Sequence, residues 1–273
     1  MWLSCLPVSF FREIIAGRMS VAEWARIGAE AGLDAIDLSI LFVPDRSVAT
    51  ATAYRRDVEA AGMRVAMLAT YPDFTHPNAE QRQDELERAK EAVALAAELG
   101  ADLMRVTAGQ AHPETGREQG IIWAVDGLTR LTEASRGSGV TLVYENHARP
   151  GAWRYTDFSQ PPDIFLEIVR RTARADLGIN FDTANATAFA QDPLDLLAKA
   201  LPRVVSVHAA DTGMRNTLQP VLLGTGVVPF PALFRSLKKA RFDGWICIEE
   251  ASGQGVGAVL AATRFVRQAW AMA

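Results

Sequence analysis

Along the chain, short apolar runs alternate with longer stretches whose apolar positions recur every three to four residues. Those two periods mark strands and amphipathic helices. One junction repeats: a helical stretch, a glycine, then an apolar run. It reads Ala31-Gly32-Leu33-Asp34-Ala35-Ile36, Ala61-Gly62-Met63-Arg64-Val65, Leu99-Gly100-Ala101-Asp102-Leu103 and Ser138-Gly139-Val140-Thr141-Leu142. Glycine after a helix takes the left-handed conformation that stops it. Counting all such units predicts eight strands, near 2–6, 35–39, 63–69, 102–107, 140–146, 177–182, 203–209 and 244–249, each followed by a helical pattern. The clearest helix runs from Asn78 to Leu99. Asn78 is placed to cap it, Gln81 holds the reciprocal capping-box position, and Leu86, Ala89, Val93 and Ala96 form its apolar face. Eight strand–helix pairs predict one α/β domain over residues 1–273, a (β/α)8 TIM barrel. The alternative, an open doubly wound sheet, normally carries a glycine-rich phosphate loop after its first strand, and none follows here.

Composition narrows the function. The 273 residues are 49% hydrophobic and 22% charged, enough for a large core and unlike a disordered chain. A net charge of -4 argues against nucleic acid as a partner. No apolar run nears the ~20 residues of a membrane helix, and Met1 to Phe11 lacks the charged start of a secretory signal, so a cytoplasmic location is expected. The two cysteines, Cys5 and Cys247, fall on the first and last predicted strands and read as small reduced core residues. The four lysines, Lys90, Lys199, Lys238 and Lys239, all fall in predicted helices, which leaves none at a strand end for Schiff-base chemistry. Neither a G-x-S-x-G elbow nor a P-loop occurs.

Strand parity picks out the candidate chemistry, because side chains alternate between barrel interior and helix-facing side. In Thr141-Leu142-Val143-Tyr144-Glu145, Leu142 and Tyr144 face the helices and Glu145 points inward at the C-terminal end. The same reading turns Asp182, His208 and Glu249 inward at the ends of the next three strands. Barrels of this type carry their active sites at that end. Three crowded carboxylates raise one another's pKa, and a divalent cation removes the conflict. Three carboxylates with one imidazole suit Mn²⁺, Mg²⁺, Co²⁺ or Zn²⁺ rather than a thiolate-loving metal. Each residue alone is an ordinary polar strand end; their shared parity in four consecutive strands makes the pattern.

The segments Tyr144-Glu145-Asn146-His147, Phe181-Asp182-Thr183-Ala184-Asn185, Val207-His208-Ala209-Ala210-Asp211, Leu223-Gly224-Thr225-Gly226 and Ile248-Glu249-Glu250 resemble the sugar isomerase/epimerase superfamily of xylose isomerase-like barrels. The resemblance implies one divalent metal held by Glu145, Asp182, His208 and Glu249. It also implies Glu145 and Glu249 as catalytic acid and base on opposite faces of a small polyhydroxylated carbonyl substrate. Ketose 3-epimerases of this type carry a substrate-binding histidine three residues after the metal aspartate. This chain has Asn185 there, as in proteins resembling inositol-ketone dehydratases. The implied activity is a sugar or sugar-phosphate isomerase or epimerase working through an enediolate, with a dehydratase as the alternative. Apurinic-site endonucleases share the fold but resemble a histidine-rich three-zinc site, which four histidines and Asn185 do not match. A non-catalytic sugar-binding barrel would not need the full ligand set.

Further residues sit on predicted face loops. His147, Asn185 and Arg215 are taken as substrate-binding candidates, and Arg149 and Arg154 as possible phosphate contacts. His76 and His112 read as loop histidines, and Asp37 and Arg105 as interior charges that form a structural pair, with a hold on a substrate hydroxyl as the alternative. Tyr71, Phe10 and Trp153 are placed to wall the pocket, and Ser252-Gly253-Gln254-Gly255-Val256-Gly257 follows the last strand, where many barrels bind phosphate. Exposed helix faces are compatible with a homo-oligomer.

Overall fold

The computed structural model describes residues 1–149 and 151–273. Eight strands occupy Trp2–Leu6 (β1), Ile36–Ser39 (β2), Val65–Ala69 (β3), Leu103–Val106 (β4), Thr141–Glu145 (β5), Gly178–Asp182 (β6), Val204–Ala209 (β7) and Trp245–Glu249 (β8). The helices are Phe11–Ile15 (α1), Val21–Glu30 (α2), Val48–Ala60 (α3), Ala79–Glu98 (α4), Arg117–Ala134 (α5), Pro162–Arg171 (α6), Thr183–Phe189 (α7), Pro193–Ala200 (α8), Phe230–Lys239 (α9) and Val256–Met272 (α10). All the strands run parallel in the order β1-β8-β7-β6-β5-β4-β3-β2. This is the (β/α)8 barrel that the repeated junction predicts.

Each predicted strand overlaps an observed one. Gly32, Gly62, Gly100 and Gly139 all have φ between 70° and 81°, the left-handed stop expected of them. Asn78 caps α4 by accepting from the backbone N–H groups of Glu80 and Gln81. All four lysines lie in helices.

A large apolar layer separates strands from helices and includes Leu142, Tyr144, Ile179, Phe181, Ile246 and Ile248. A smaller plug of Ala35, Ala66, Met67, Leu103, Val143, Trp245 and Cys247 fills the lumen. Parity therefore holds along β5, β6 and β8. The lumen above the plug is polar, and the candidate site lies there. Between β1 and β2 there is no backbone ladder among the described residues. The seam is joined by Ser4 Oγ donating to Asp37 Oδ2 at 2.8 Å, Leu3 N–H to Asp34 Oδ2 at 2.9 Å, and Asp34 N–H to the Leu3 carbonyl at 2.8 Å. The lumen charges do not pair as Asp37 with Arg105: Asp37 bonds Ser4, while Arg105 lies against Glu145. Cys5 and Cys247 are both buried and free, Cys5 in the outer layer and Cys247 in the plug. Among the described residues, no helix is long and apolar enough to cross a membrane.

Candidate metal and active site

The ends of β5, β6 and β7 bring Glu145, Asp182 and His208 together, each offering one ligand atom within 4.8 Å of the others. All three side chains are essentially inaccessible. Glu249, at the end of β8, stands beside this cluster, its Oε2 3.8 Å from His208 Nδ1. Its side chain is 23% exposed and faces the cavity above.

Neighbouring residues hold these groups in place. Glu145 Oε1 accepts from Asn180 Nδ2 at 2.9 Å and lies 2.6 Å from His208 Nδ1. Asn180 is fixed in turn by Ser206, whose hydroxyl donates to Asn180 Oδ1 at 2.7 Å. Glu145 Oε2 lies 3.1 Å from Arg105 Nε. Asn146 clamps the end of β6, donating to the Asp182 carbonyl at 2.9 Å and accepting the Asp182 N–H at 2.8 Å. Asp182 Oδ1 caps α7 by accepting the Asn185 N–H at 2.6 Å.

Electrostatics follow from this burial. Desolvation pushes the Asp182 carboxyl well above its usual range, and the negative charges of Glu249 and Glu145 add to it. Desolvation also acts on Glu145, but the His208 and Arg105 charges outweigh it and draw its pKa down to about 2. Burial disfavours the His208 imidazolium, yet Glu145 overcomes that and lifts it to about 9. Asp182 Oδ2 and His208 Nε2 are buried without a hydrogen-bond partner. Such atoms are costly unless something meets them. Oxygen and imidazole donors left open in one cluster are what a hard or borderline divalent cation requires, so the residues fit the metal that the sequence implies.

Above the cluster lies a cavity of about 510 Å³. Arg105, His147, Asp182, Asn185, Asp211 and Glu249 form its polar part. Val8, Phe11, Ile15, Leu41 and Val221 form an apolar mouth, and Tyr71 stands at one side. Of the substrate-binding candidates, His147 and Asn185 line this cavity and Arg215 does not. Arg215 Nη2 instead donates to the Ala190 and Gln191 carbonyls, 2.7 Å each, which ties its loop to the end of α7. His147 Nδ1 lies 3.6 Å from the buried Asp157 carboxylate, and the Asn185 Oδ1 acceptor is buried and unpartnered. Arg149 reaches the cavity wall; Arg154 lies outside it. Phe11 takes the wall position expected of Phe10, whose ring packs on Trp24.

Two further residues line the cavity: Arg105, whose sequence reading leaves a structural pair or a substrate hydroxyl, and Asp211, to which the sequence assigns no role. Arg105 is 1% exposed, borders the cavity, and carries the Tyr71 ring 4.5 Å from its guanidinium carbon. A charged residue on the interior parity of a strand was its signal. Asp211 anchors the loop after β7: its Oδ2 accepts from the Gly224 and Gly226 N–H groups at 2.9 Å each. A Cβ at Gly226 would sit 2.3 Å from Asp211 Oδ1, so the Gly-Thr-Gly stretch wraps a carboxylate that admits no side chain.

This fold agrees with the comparisons to known proteins. A model described as a Xylose isomerase-like TIM barrel matches residues 25–269. The chain belongs to that family. Within the xylose isomerase-like barrels, an inosose dehydratase of Bacillus anthracis is 27% identical over a match covering 45% of this chain and 45% of its own. The chain thus aligns with less than half the length of the curated relatives it matches. The solved structure of a D-tagatose 3-epimerase-like protein superposes with a TM-score of 0.81 at 18% identity, over 100% of this chain and 98% of the other. The probable 3-DHS dehydratase AsbF of Bacillus anthracis gives 0.78 at 15% identity, over 98% and 99%. At such identities these two structures speak for the fold alone.

Proposed function

We propose that the protein is a metal-dependent isomerase or epimerase that moves a proton next to the carbonyl of a small polyhydroxylated substrate. The observation that carries this reading is the buried Glu145–Asp182–His208 cluster at the floor of a cavity into which Glu249 projects. Glu145, Asp182, His208 and Glu249 would hold one divalent cation, with Mn²⁺, Mg²⁺, Co²⁺ and Zn²⁺ as candidates. When bound, that ion supplies Lewis-acid polarisation of the carbonyl and its neighbouring hydroxyl, which acidifies the hydrogen between them.

The side chains then divide the work. Glu249, open to the cavity, takes the α-hydrogen as general base. Returning a proton from the other glutamate, Glu145, would complete an epimerisation or isomerisation; Glu145 must first gain that proton, because the His208 and Arg105 charges hold it ionised in the resting site. Arg105, beneath Tyr71, stabilises negative charge that develops on the enediolate. The Asn185 Oδ1 accepts a substrate hydroxyl hydrogen, and His147 binds a second hydroxyl from the β5 side. The apolar mouth limits water entry.

A second reading, a lyase, shares the first proton abstraction and then expels a β-hydroxyl as water. Two observations favour it: the partial match to inosose dehydratase, and the placement of Glu249 but not Glu145 on the cavity wall. One assay separates them. Ketoses, keto-inositols and their phosphates are incubated with enzyme and Mn²⁺ in D₂O. Isomerisation or epimerisation gives product of unchanged composition carrying deuterium at the reacting carbon. Product lighter by one water, with no isomer formed, moves the assignment to the lyase. No reaction across the panel removes the proposal.

A further inference from the structure

Beside the cavity, the loops after β3, β4 and β5 enclose a second hollow of about 840 Å³, and the two meet at Tyr71. None of the four expected metal ligands lines it. Aromatic rings form part of its wall. Tyr155, His112 and His76 stand in an edge-to-face row with centroid spacings of 5.4 and 4.6 Å, and Trp153 closes the end nearest His147 at 6.3 Å. Planar polar groups share the lining: Asp73, Gln110, and Glu85 with Arg88, paired at 3.1 Å.

These walls are held before any ligand arrives. Asp73 is 7% exposed; its Oδ1 accepts the Gln110 N–H at 2.9 Å, and its Oδ2 meets Gln110 Nε2 at 2.9 Å and His112 Nε2 at 2.8 Å. Gln110 Oε1 accepts the backbone N–H groups of Arg154 and Tyr155 at 2.9 and 3.1 Å, which locks the β5 loop to the β4 loop. Gly109 makes this possible: its φ is +130°, and a Cβ there would sit 2.7 Å from the Thr75 nitrogen. Tyr71, the shared wall, is held by the Arg105 guanidinium 4.5 Å from its ring.

The chemistry of the lining selects its occupant. Asp73, Asp84, Glu85 and Glu114 repel a phosphate or carboxylate despite Arg88 and Arg154, and a purely apolar ligand would strand these polar groups. A neutral pyranose ring satisfies both halves, its C–H faces against the rings and its hydroxyls against amide, carboxylate and guanidinium groups. We propose that this groove is a second sugar-ring subsite, so that the substrate is a two-ring keto-glycoside. Its carbonyl-bearing ring lies over the Glu145–Asp182–His208 cluster, and its other ring crosses Tyr71 into the groove. The substrate class rests on the catalytic reading above; the groove's affinity for a sugar ring does not.

Glucose, cellobiose and maltose, titrated separately into the protein by calorimetry and saturation-transfer NMR, test the groove directly. At least one disaccharide is expected to bind at least tenfold more tightly than glucose. Tyr155→Ala and Arg88→Ala should each erase at least fivefold of that advantage, whereas Tyr155→Phe keeps the ring and most of the affinity. Arg88 is 59% exposed, so its replacement tests the groove without threatening the fold. Equal affinities for glucose and both disaccharides overturn the subsite, as do alanine variants that bind like the parent. Turnover of free ketoses with Mn²⁺ beside such a failure leaves the catalytic reading intact. Groove-dependent disaccharide binding with no carbonyl sugar turned over removes the catalytic reading and keeps the subsite.

Discussion

Replacing Arg105 by Met tests the electrostatic frame of the site. Arg105 and Glu145 are each 1% exposed and lie 3.1 Å apart. At an effective dielectric of about 20, unit charges at that distance attract by roughly 5 kcal/mol. Methionine keeps most of the buried stem but leaves the Glu145 carboxylate without its arginine, and removing one partner of a buried pair costs ~3–5 kcal/mol. His208 remains 2.6 Å from Glu145 and still supplies a cation, so the lower end, about 3 kcal/mol, is expected in the presence of EDTA. For a chain of this size that corresponds to a fall in Tm of about 6–12 °C. A divalent cation restores the missing positive charge. Saturating Mn²⁺ should therefore raise the Tm of the variant by several degrees more than that of the parent. Thermal and urea unfolding of both proteins, with EDTA and with Mn²⁺, reads this directly. A loss below about 1 kcal/mol in EDTA, or the same loss with and without Mn²⁺, would refute the reasoning.

Asp182→Ala should bind no stoichiometric divalent ion after dialysis against Mn²⁺, as measured by elemental analysis; parent-like metal content would dissolve the site. Glu249→Gln and Glu145→Gln should each lower kcat at least ~10²-fold on any substrate found, the usual contribution of a general acid or base, and full activity in either discards the two-glutamate mechanism. A third expectation concerns Asp37, which burial pushes up from 3.8 to about 7 against the opposing pull of His208 and the Ser4 hydrogen bond. Between those pH values the folded chain holds a proton that the unfolded chain has lost, so stability falls as pH rises and the full penalty is present above pH 7. About three pK steps correspond to roughly 4 kcal/mol, and Asp37→Asn should escape that penalty. A parent-minus-variant stability difference that stays flat from pH 4 to 8 in EDTA would contradict this.

The legible parts of this protein are those governed by short periods. Gly32, Gly62, Gly100 and Gly139 mark helix ends because only a left-handed residue makes that turn, and the strands that follow lie where expected. Parity along a strand is equally local, which is why Glu145, Asp182 and His208 were placed in one lumen and are found together. Distance around the barrel is not local. Parity turns Asp37 and Arg105 inward, but only the closed sheet gives Asp37 to Ser4 and Arg105 to Glu145. Loops carry no period at all: Arg215 and His147 both follow strand ends, yet one braces a neighbouring turn and the other lines the cavity. The exchange of Phe10 for Phe11 has the same origin, in a single turn of 3-10 helix after β1 that no repeat announces.

The seam between β1 and β2 bears on how the barrel is assembled. Among the described residues, β1 has its only strand ladder with β8, pairing Trp2 with Trp245 and Leu6 with Glu249. Its links to β2 are a few bonds made by Leu3, Ser4, Asp34 and Asp37. β1 therefore keeps most of its backbone groups unmatched until β8, the last of the eight strands in sequence, is in place. Closure must wait for a contact that spans almost the whole chain, the costliest loop in the molecule. The ladder between β7 and β8, by contrast, sets Glu249 beside His208 on its own. The four expected ligands thus stand on one unbroken run of ladders from β5 to β8, and closure at β1 shuts the lumen without having to place any of them.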